Sequence, residues 1–334
     1  MLEHGGRLRH AATHYQIPLV DWLDLSTGLA PYCWPLPPVP MRDWMRLPEE
    51  DDGLEIAAAG YYGTVNILPV AGSQAAIQTL PSLFAGARVA IIEPCYAEHR
   101  HAWERQGFAP LSLRAADVEA ALPSLDVLVV VNPNNPTGSH ISAHQLWRWR
   151  ERLASRGGCL VVDEAFCDLQ PELSLASKAG CPGLVVFRSL GKFFGLAGAR
   201  LGFVLAERSL LAALHERVGP WTVSGPARRI GQAVLNDRET QALWRLRIQN
   251  DGARLGQLLA ECGLLPAGNT GLFAWVPCDT AEALHGHLAR LGILVRHVPE
   301  PSGVRFGLPG CESGWRRLEQ ALRCFEQETA KCRP

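Results

Sequence analysis

The sequence predicts an α/β protein built on a mainly parallel sheet, followed by a smaller α+β domain. Short apolar, β-branched runs recur as "RVAIIE" (88–93), "DVLVVV" (126–131), "GCLVVDE" (158–164) and "GLVVFRS" (183–189). Segments of helical periodicity, such as "QAAIQTLPSLF" and "SAHQLWRWRERLASR", lie between most of them. Strands buried on both faces read as continuous apolar runs, and parallel neighbours need a crossover that helices supply. After about residue 225 the pattern changes to long helices, which marks the second domain.

Taken in order, the chain opens on "MLEHGGRLRHAATHYQ", polar and charged, without the apolar core of a secretory signal. "PYCWPLPPVP" (31–40) is a proline-rich connector excluded from a sheet centre, either an ordered loop or a polyproline ligand. The four buried strands follow, and then the second domain with "LFAWV" (272–276), "ILVRHV" (293–298), "GVRFGL" (303–308) and a closing helix. The expected division is an N-terminal arm and connector over 1–44, packing with the small domain, a large domain over 45–225, and a small one over 226–334.

At 334 residues, with 47% apolar and 19% charged residues, the composition is that of a globular chain with a large core. A net charge of -1 gives no reason to expect nucleic acid or an acidic membrane as partner. No run approaches the roughly 18 apolar residues of a membrane helix, so a cytoplasmic protein acting on small molecules is expected. Ten cysteines, scattered from Cys33 to Cys332 without a C-x-x-C pair, read as reduced, mostly buried thiols and not as a metal site.

In a parallel sheet, ligands bind beyond the carboxyl ends of the strands, so residues just after each run carry the information. After 183–189 comes "SLGKFFGLAGARLG" (189–202), with Lys192 set among apolar residues and Arg200 on the same segment. A phosphate-binding P-loop needs a glycine where Val186 stands and Ser or Thr where Phe193 stands, so that reading fails. A lysine that forms a Schiff base remains, beside the bland reading of a surface lysine. After 126–131 comes "NPNNPTG" (132–138), and after 158–162 comes "DEAF" (163–166), two carboxylates that need cationic partners or water. Gly72, Ser73 and Gln74 in "AGSQAAIQTL" open a helix, where free N–H groups suit a phosphate. Pyridoxal 5'-phosphate satisfies all of these together, with an aldehyde for the lysine, a pyridine nitrogen for an acid, a phenolic oxygen for a donor, and a phosphate.

With "NPNNPTG", "DEAF" and "SLGKFFGLAGARLG" in this order and spacing, the chain resembles the fold type I, class I/II aminotransferase superfamily over essentially its whole length. The resemblance implies a large domain with a mainly parallel seven-stranded sheet, a smaller α+β domain, and a homodimer. It implies that Lys192 bonds the cofactor's aldehyde, Asp163 pairs with its pyridine nitrogen and Asn135 donates to its phenolic oxygen. Ser73, Gln74, Ser189 and Arg200 would hold its phosphate, Tyr96 would stack on the ring, and Arg305 would clamp a substrate α-carboxylate. A neighbouring carboxylate raises the proton affinity of a basic nitrogen by roughly 1–3 pKa units, and arginine's planar fork matches a carboxylate. Read alone, Tyr96 fits core packing as well, Arg305 a surface salt bridge worth about 0–1 kcal/mol, and Glu164 a structural neighbour of Asp163. Phe166 stands where many relatives carry a tyrosine, and "RLPEEDDG" (46–53) where they often carry "YPDP", so two expected cofactor contacts are missing.

The opening "EHGGRLRHAATHYQIPLVDWLDLSTGLAP" is similar to that of the threonine-phosphate decarboxylase branch, in which "HGG" precedes an "LDFS" type strand. That resemblance implies decarboxylation of L-threonine O-3-phosphate to aminopropanol phosphate for the cobalamin nucleotide loop. His4, Gly5, Gly6 and Arg296 would then lie at the substrate's phosphate, although the branch's Asn-rich loop is replaced by Thr27, Gly28 and Ala30. Histidinol-phosphate aminotransferase is the alternative, and a regulator that binds cofactor without catalysis is a third reading that lacks a DNA-binding extension.

Overall fold

The computed structural model describes residues 4–331. Along the chain run α1 (Leu8–Tyr15), β1 (Leu23–Asp24), α2 (Met41–Met45), α3 (Leu54–Tyr62), β2 (Ile67–Val70), α4 (Ser73–Thr79), β3 (Val89–Ile92), α5 (Glu98–Arg105), β4 (Leu111–Leu113), α6 (Val118–Ala121), β5 (Val127–Val131), α7 (Ala143–Ala154), β6 (Cys159–Asp163), β7 (Leu184–Ser189) and β8 (Gly202–Ala206). They continue as α8 (Arg208–Val218), α9 (Gly225–Asn236), α10 (Arg238–Glu261), β9 (Gly268–Asn269), β10 (Phe273–Pro277), α11 (Ala281–Arg290), β11 (Ile293–Leu294), β12 (Arg296–Val298), β13 (Gly303–Gly307) and α12 (Glu312–Lys331). Two compact units result, one of residues 34–135 and 140–243, the other of 1–33, 136–139 and 244–334.

The larger unit holds a seven-stranded sheet in the order β2-β8-β7-β6-β5-β3-β4, in which β8 alone runs against its neighbours. Every residue of β5, β6 and β7 is buried, as their unbroken apolar runs require. On one face Val127, Val129, Val161, Val185, Phe187 and Val204 pack under helices through Ile77, Trp103 and Leu214. Each fully buried side chain of this kind contributes about 1.5–3 kcal/mol. On α7 the buried Leu146, Trp149 and Leu153 fall at helical spacing, and the Ser142 hydroxyl accepts from the Gln145 N–H at 3.2 Å to start the helix.

The connector 31–40 carries no regular structure over its length, and Trp34 is buried with its ring centroid 5.0 Å from that of Phe194. It is an ordered loop, and the polyproline-ligand reading falls because this anchor is already packed. Nine cysteines of the described residues are unbridged, and Cys332 lies outside those residues. Only Cys159, Cys167 and Cys262 are buried. Cys33, Cys311 and Cys324 are exposed, because they sit in the loop before Trp34, ahead of α12 and on its outer side.

In the smaller unit β12, β13, β10 and β9 form an antiparallel sheet in that order. Trp315, Leu318, Leu322 and Phe325 form the buried stripe of α12. The N-terminal segment belongs to this unit, since β1 pairs in parallel with β11, and the Gly307 N–H donates to the Leu25 carbonyl at 2.7 Å. A Cβ on Gly307 would stand 2.9 Å from that oxygen, which explains glycine here. No helix among the described residues is long and apolar enough to cross a membrane.

Candidate active site

In the larger unit, the groups singled out after each strand gather at the carboxyl end of the sheet. Asp163 closes β6 and is buried. Its Oδ2 lies 2.9 Å from His99 Nε2, and its Oδ1 accepts the Ala165 N–H at 3.0 Å. A carboxylate has about four acceptor positions, so these two contacts orient Asp163 and leave acceptor capacity. His99 is itself fixed, stacked at 12° over Phe187 with ring centroids 6.2 Å apart and edge-on to Tyr96. Sequence reasoning missed His99. Its signal was available, a histidine three residues after the aromatic Tyr96 and at the second position of α5.

Glu164 points elsewhere. Fully buried, it accepts from Arg188 Nη1 at 2.8 Å, from the Leu175 N–H at 2.7 Å and from the Ser174 hydroxyl. Burial pushes its carboxyl above the usual range, against the pull of Arg188. Arg188 Nη2 reaches Asp168 Oδ1 at 2.6 Å, which completes a buried Glu–Arg–Asp cluster on β7. Adjacent acids thus divide the work, with Asp163 facing His99 and Glu164 held in a structural network.

Lys192 follows β7 and is half-buried, its Nζ 5.4 Å from the centre of the Phe166 ring. The segment from Leu190 to Leu201 returns to the sheet as β8, where Ser189 and Gly202 are register partners. Arg200 takes a left-handed backbone (φ 52°) and its guanidinium lies against Gly72. A Cβ on Gly72 would stand 2.8 Å from Arg200 Nη2, and one on Gly202 would stand 2.5 Å from the Ser73 nitrogen. Glycines are therefore required where the start of α4, the end of β7 and Arg200 converge. This leaves the backbone N–H groups at the start of α4 beside one cation, a small cradle suited to a phosphate.

Gln74 is engaged on both sides, its Nε2 donating to Glu98 at 2.7 Å and its Oε1 accepting the Tyr96 hydroxyl at 3.1 Å. Burial first, and then Glu98, pushes the Tyr96 hydroxyl up to about 12, so it stays a donor. The "NPNNPTG" loop is clamped by Asn132, whose amide bonds both the N–H and the carbonyl of Ile141, at 2.8 and 3.0 Å. Asn135 is half-buried on this loop.

The substrate-binding candidates lie in the smaller unit. Gly5 packs on Ser26, whose carbonyl oxygen a Cβ there would meet at 2.3 Å. The Gly6 N–H donates to the Ser26 hydroxyl at 2.7 Å, and that hydroxyl donates to Asp24 at 2.6 Å. The glycine pair thus seats the N-terminus on Ser26. His4 and Arg296 line a cleft of about 260 Å³ formed with α1, α11 and β12. Arg305 is only 5% exposed, which removes the surface salt-bridge reading. Its Nη2 donates to the Ser26 carbonyl at 2.6 Å, and it stands directly opposite Arg296 across the β12–β13 pair. Burial first, and then Arg296, pull its pKa down to about 10. Like charges placed directly opposite each other destabilise a sheet.

This sheet, with its lysine after one strand and its oriented carboxylate after the next, is a fold type I architecture. Residues 47–318 match the family described as aminotransferase class I and II, and the chain belongs to it. It is 54% identical to threonine-phosphate decarboxylase of Pseudomonas aeruginosa, over 98% of this chain and 99% of that one. Among solved structures it is similar in fold to histidinol-phosphate aminotransferase of Sinorhizobium meliloti in complex with pyridoxal-5'-phosphate (TM-score 0.86, 21% identity, 98% and 96% of the two chains covered). It is similarly related to L-threonine-O-3-phosphate decarboxylase of Porphyromonas gingivalis (TM-score 0.75, 19% identity, 98% of each chain covered).

Proposed function

We propose that this chain is a pyridoxal-phosphate-dependent decarboxylase that converts L-threonine O-3-phosphate to (R)-1-amino-2-propanol O-2-phosphate, as a step toward the cobalamin nucleotide loop. The observation that carries the reading is the pair of anion-seeking features in the smaller unit. One is the opposed Arg296 and Arg305, and the other is the cleft that the N-terminal segment builds with His4. A substrate with both a carboxylate and a phosphate matches them. The 54% identity to a threonine-phosphate decarboxylase supports the same substrate.

The cradle that a Cβ on Gly72 or Gly202 would fill fits the cofactor's phosphate. Ser73, Gln74, Ser189 and Arg200 hold it there, with Gln74 acting through its backbone because its side chain serves Tyr96 and Glu98. When bound, the cofactor supplies an aldehyde for an amine and a ring that accepts electrons. Asp163, held by His99, would keep a proton on the pyridine nitrogen, Asn135 would donate to the phenolic oxygen, and Tyr96 would stack on the ring. Phe166 puts an apolar ring beside Lys192, whose amine would take the aldehyde and would return a proton to the substrate's Cα. Arg305 orients the α-carboxylate, and His4, Gly5, Gly6 and Arg296 receive the substrate's phosphate. The protein works in the cytoplasm as a homodimer. The exposed Met41, Trp44, Met45 and Ile56 of the larger unit supply apolar surface for self-association.

The test is incubation of the purified protein with cofactor and O-phospho-L-threonine, without a keto acid. Release of carbon dioxide and aminopropanol phosphate in equal amounts is expected, and absence of both overturns the reading. A second expectation concerns Arg305→Leu, which removes a buried cation. Loss of a buried charge–ligand contact costs about 2–5 kcal/mol, so kcat/KM should fall by about 30-fold or more. Cofactor content, read by absorbance, should be unchanged, because the proposed role of Arg305 is toward the substrate and not the cofactor.

A further inference from the structure

The cleft of the smaller unit is lined by more imidazole than phosphate contact alone requires. His4 and Arg7 stand at its N-terminal side, His10 and His14 on α1, His285 on α11, and His297 beside Arg296 on β12. His10 and His14 are one turn apart, with ring centroids 6.4 Å apart and planes at 17°. His285 and His297 approach to 5.9 Å. Among the described residues the lining contains no carboxylate, and Asp24 touches it through Ser26. Tyr15, also on α1, is the remaining titratable group of the lining.

We propose that this cleft is a dianion site in which a bound phosphate or sulfate brings a proton with it onto the histidine cluster, so that pH sets the protein's hold on its phosphorylated substrate. The inference rests on the decarboxylase reading above and deepens it. A dianion bound among these imidazoles favours the imidazolium, which then donates from both ring nitrogens. An imidazole ordinarily titrates near about 6.5. A group whose pKa is higher in the complex contributes affinity that is fully present below its free pKa and is lost as pH rises through its value in the complex. Affinity therefore falls with rising pH across neutrality. A phosphate monoester gains charge near pH 6 and has the opposite slope, so the probe must be an anion of fixed charge.

The experiment is titration calorimetry of the holoenzyme with sulfate, whose cofactor phosphate occupies the other anion cradle, in buffers of different ionisation enthalpy. If one imidazole gains one pKa unit on binding, about half a proton is taken up per sulfate at pH 7, and Kd rises about sixfold from pH 6 to pH 8. His285→Asn with His297→Asn should remove most of the uptake, and His10→Asn with His14→Asn, on the exposed face of α1, provides an independent pair. Sulfate binding without proton uptake, no sulfate binding, or uptake unchanged in both variant pairs would overturn the inference. Carbon dioxide release from O-phospho-L-threonine under the same conditions tests the decarboxylase reading separately. Turnover with no uptake removes the histidine coupling alone, and uptake without turnover removes the assigned reaction alone.

Discussion

Alanine in place of Lys192 is expected to lower the rate of carbon dioxide release from O-phospho-L-threonine by about 10⁴-fold or more. The proposed mechanism asks two things of the residue, a nucleophilic amine and a proton donor. Loss of a positioned proton donor alone costs about 10²–10⁴-fold, before loss of the covalent route is added. The structure places the Nζ beside the apolar Phe166 ring on a segment whose two ends are adjacent strands, so no nearby lysine replaces it in the larger unit's glycine-rich loop. Borohydride treatment followed by mass measurement is the direct check. The parent chain should gain the mass of the reduced cofactor and Lys192→Ala should not. A variant that still became covalently labelled would transfer the role to another residue.

The second large effect is on stability. Arg188 is the cation between two buried carboxylates, Glu164 and Asp168, with Tyr62 beneath it at 5.0 Å. Arg188→Ala leaves those charges without their shared partner, and removal of one member of a buried pair costs about 3–5 kcal/mol. The midpoint of urea unfolding should move down accordingly. The loss should also depend on pH with a definite sign. Burial already pushes Glu164 above the usual carboxylate range, and loss of Arg188 pushes it further. An acid whose folded pKa is raised is most favourable to folding below its unfolded pKa, and that advantage disappears as pH rises through the folded value. The variant should therefore lie closer to the parent protein at pH 5 than at pH 8. Equal destabilisation at both would mean that the carboxylates are rehydrated instead of protonated.

Much of this was legible from the chain alone, for identifiable reasons. The four central strands announced themselves because a strand buried on both faces has no polar alternation to blur it. Edge and reversed strands were harder. Strand β2 carries Pro69, tolerated because it lies at the sheet's edge, and β4 is short and largely exposed. Strand β8 follows directly on the glycine-rich segment, whose turn-forming composition masks it. The resemblance singled out Asp163 and left Glu164 as its structural neighbour, but a pair of adjacent acids carries no sign that one meets His99 and the other Arg188. Arg188 itself read as part of an apolar run. The opposition of Arg296 and Arg305 was invisible because register between β12 and β13 joins residues on either side of a turn.

The pairing of β1 with β11 joins the beginning of the chain to its last third. During synthesis the ribosome releases residues 23–24 long before their partner strand exists, while every strand of the larger sheet has emerged by Ala206. The larger sheet can thus assemble while translation is still under way, whereas the histidine-bearing helix α1 lacks its partner α11 until the C-terminal third appears. A prematurely terminated product would carry a complete larger sheet with no partner for its N-terminal strand. Full-length translation is in this sense a precondition for the histidine-lined cleft.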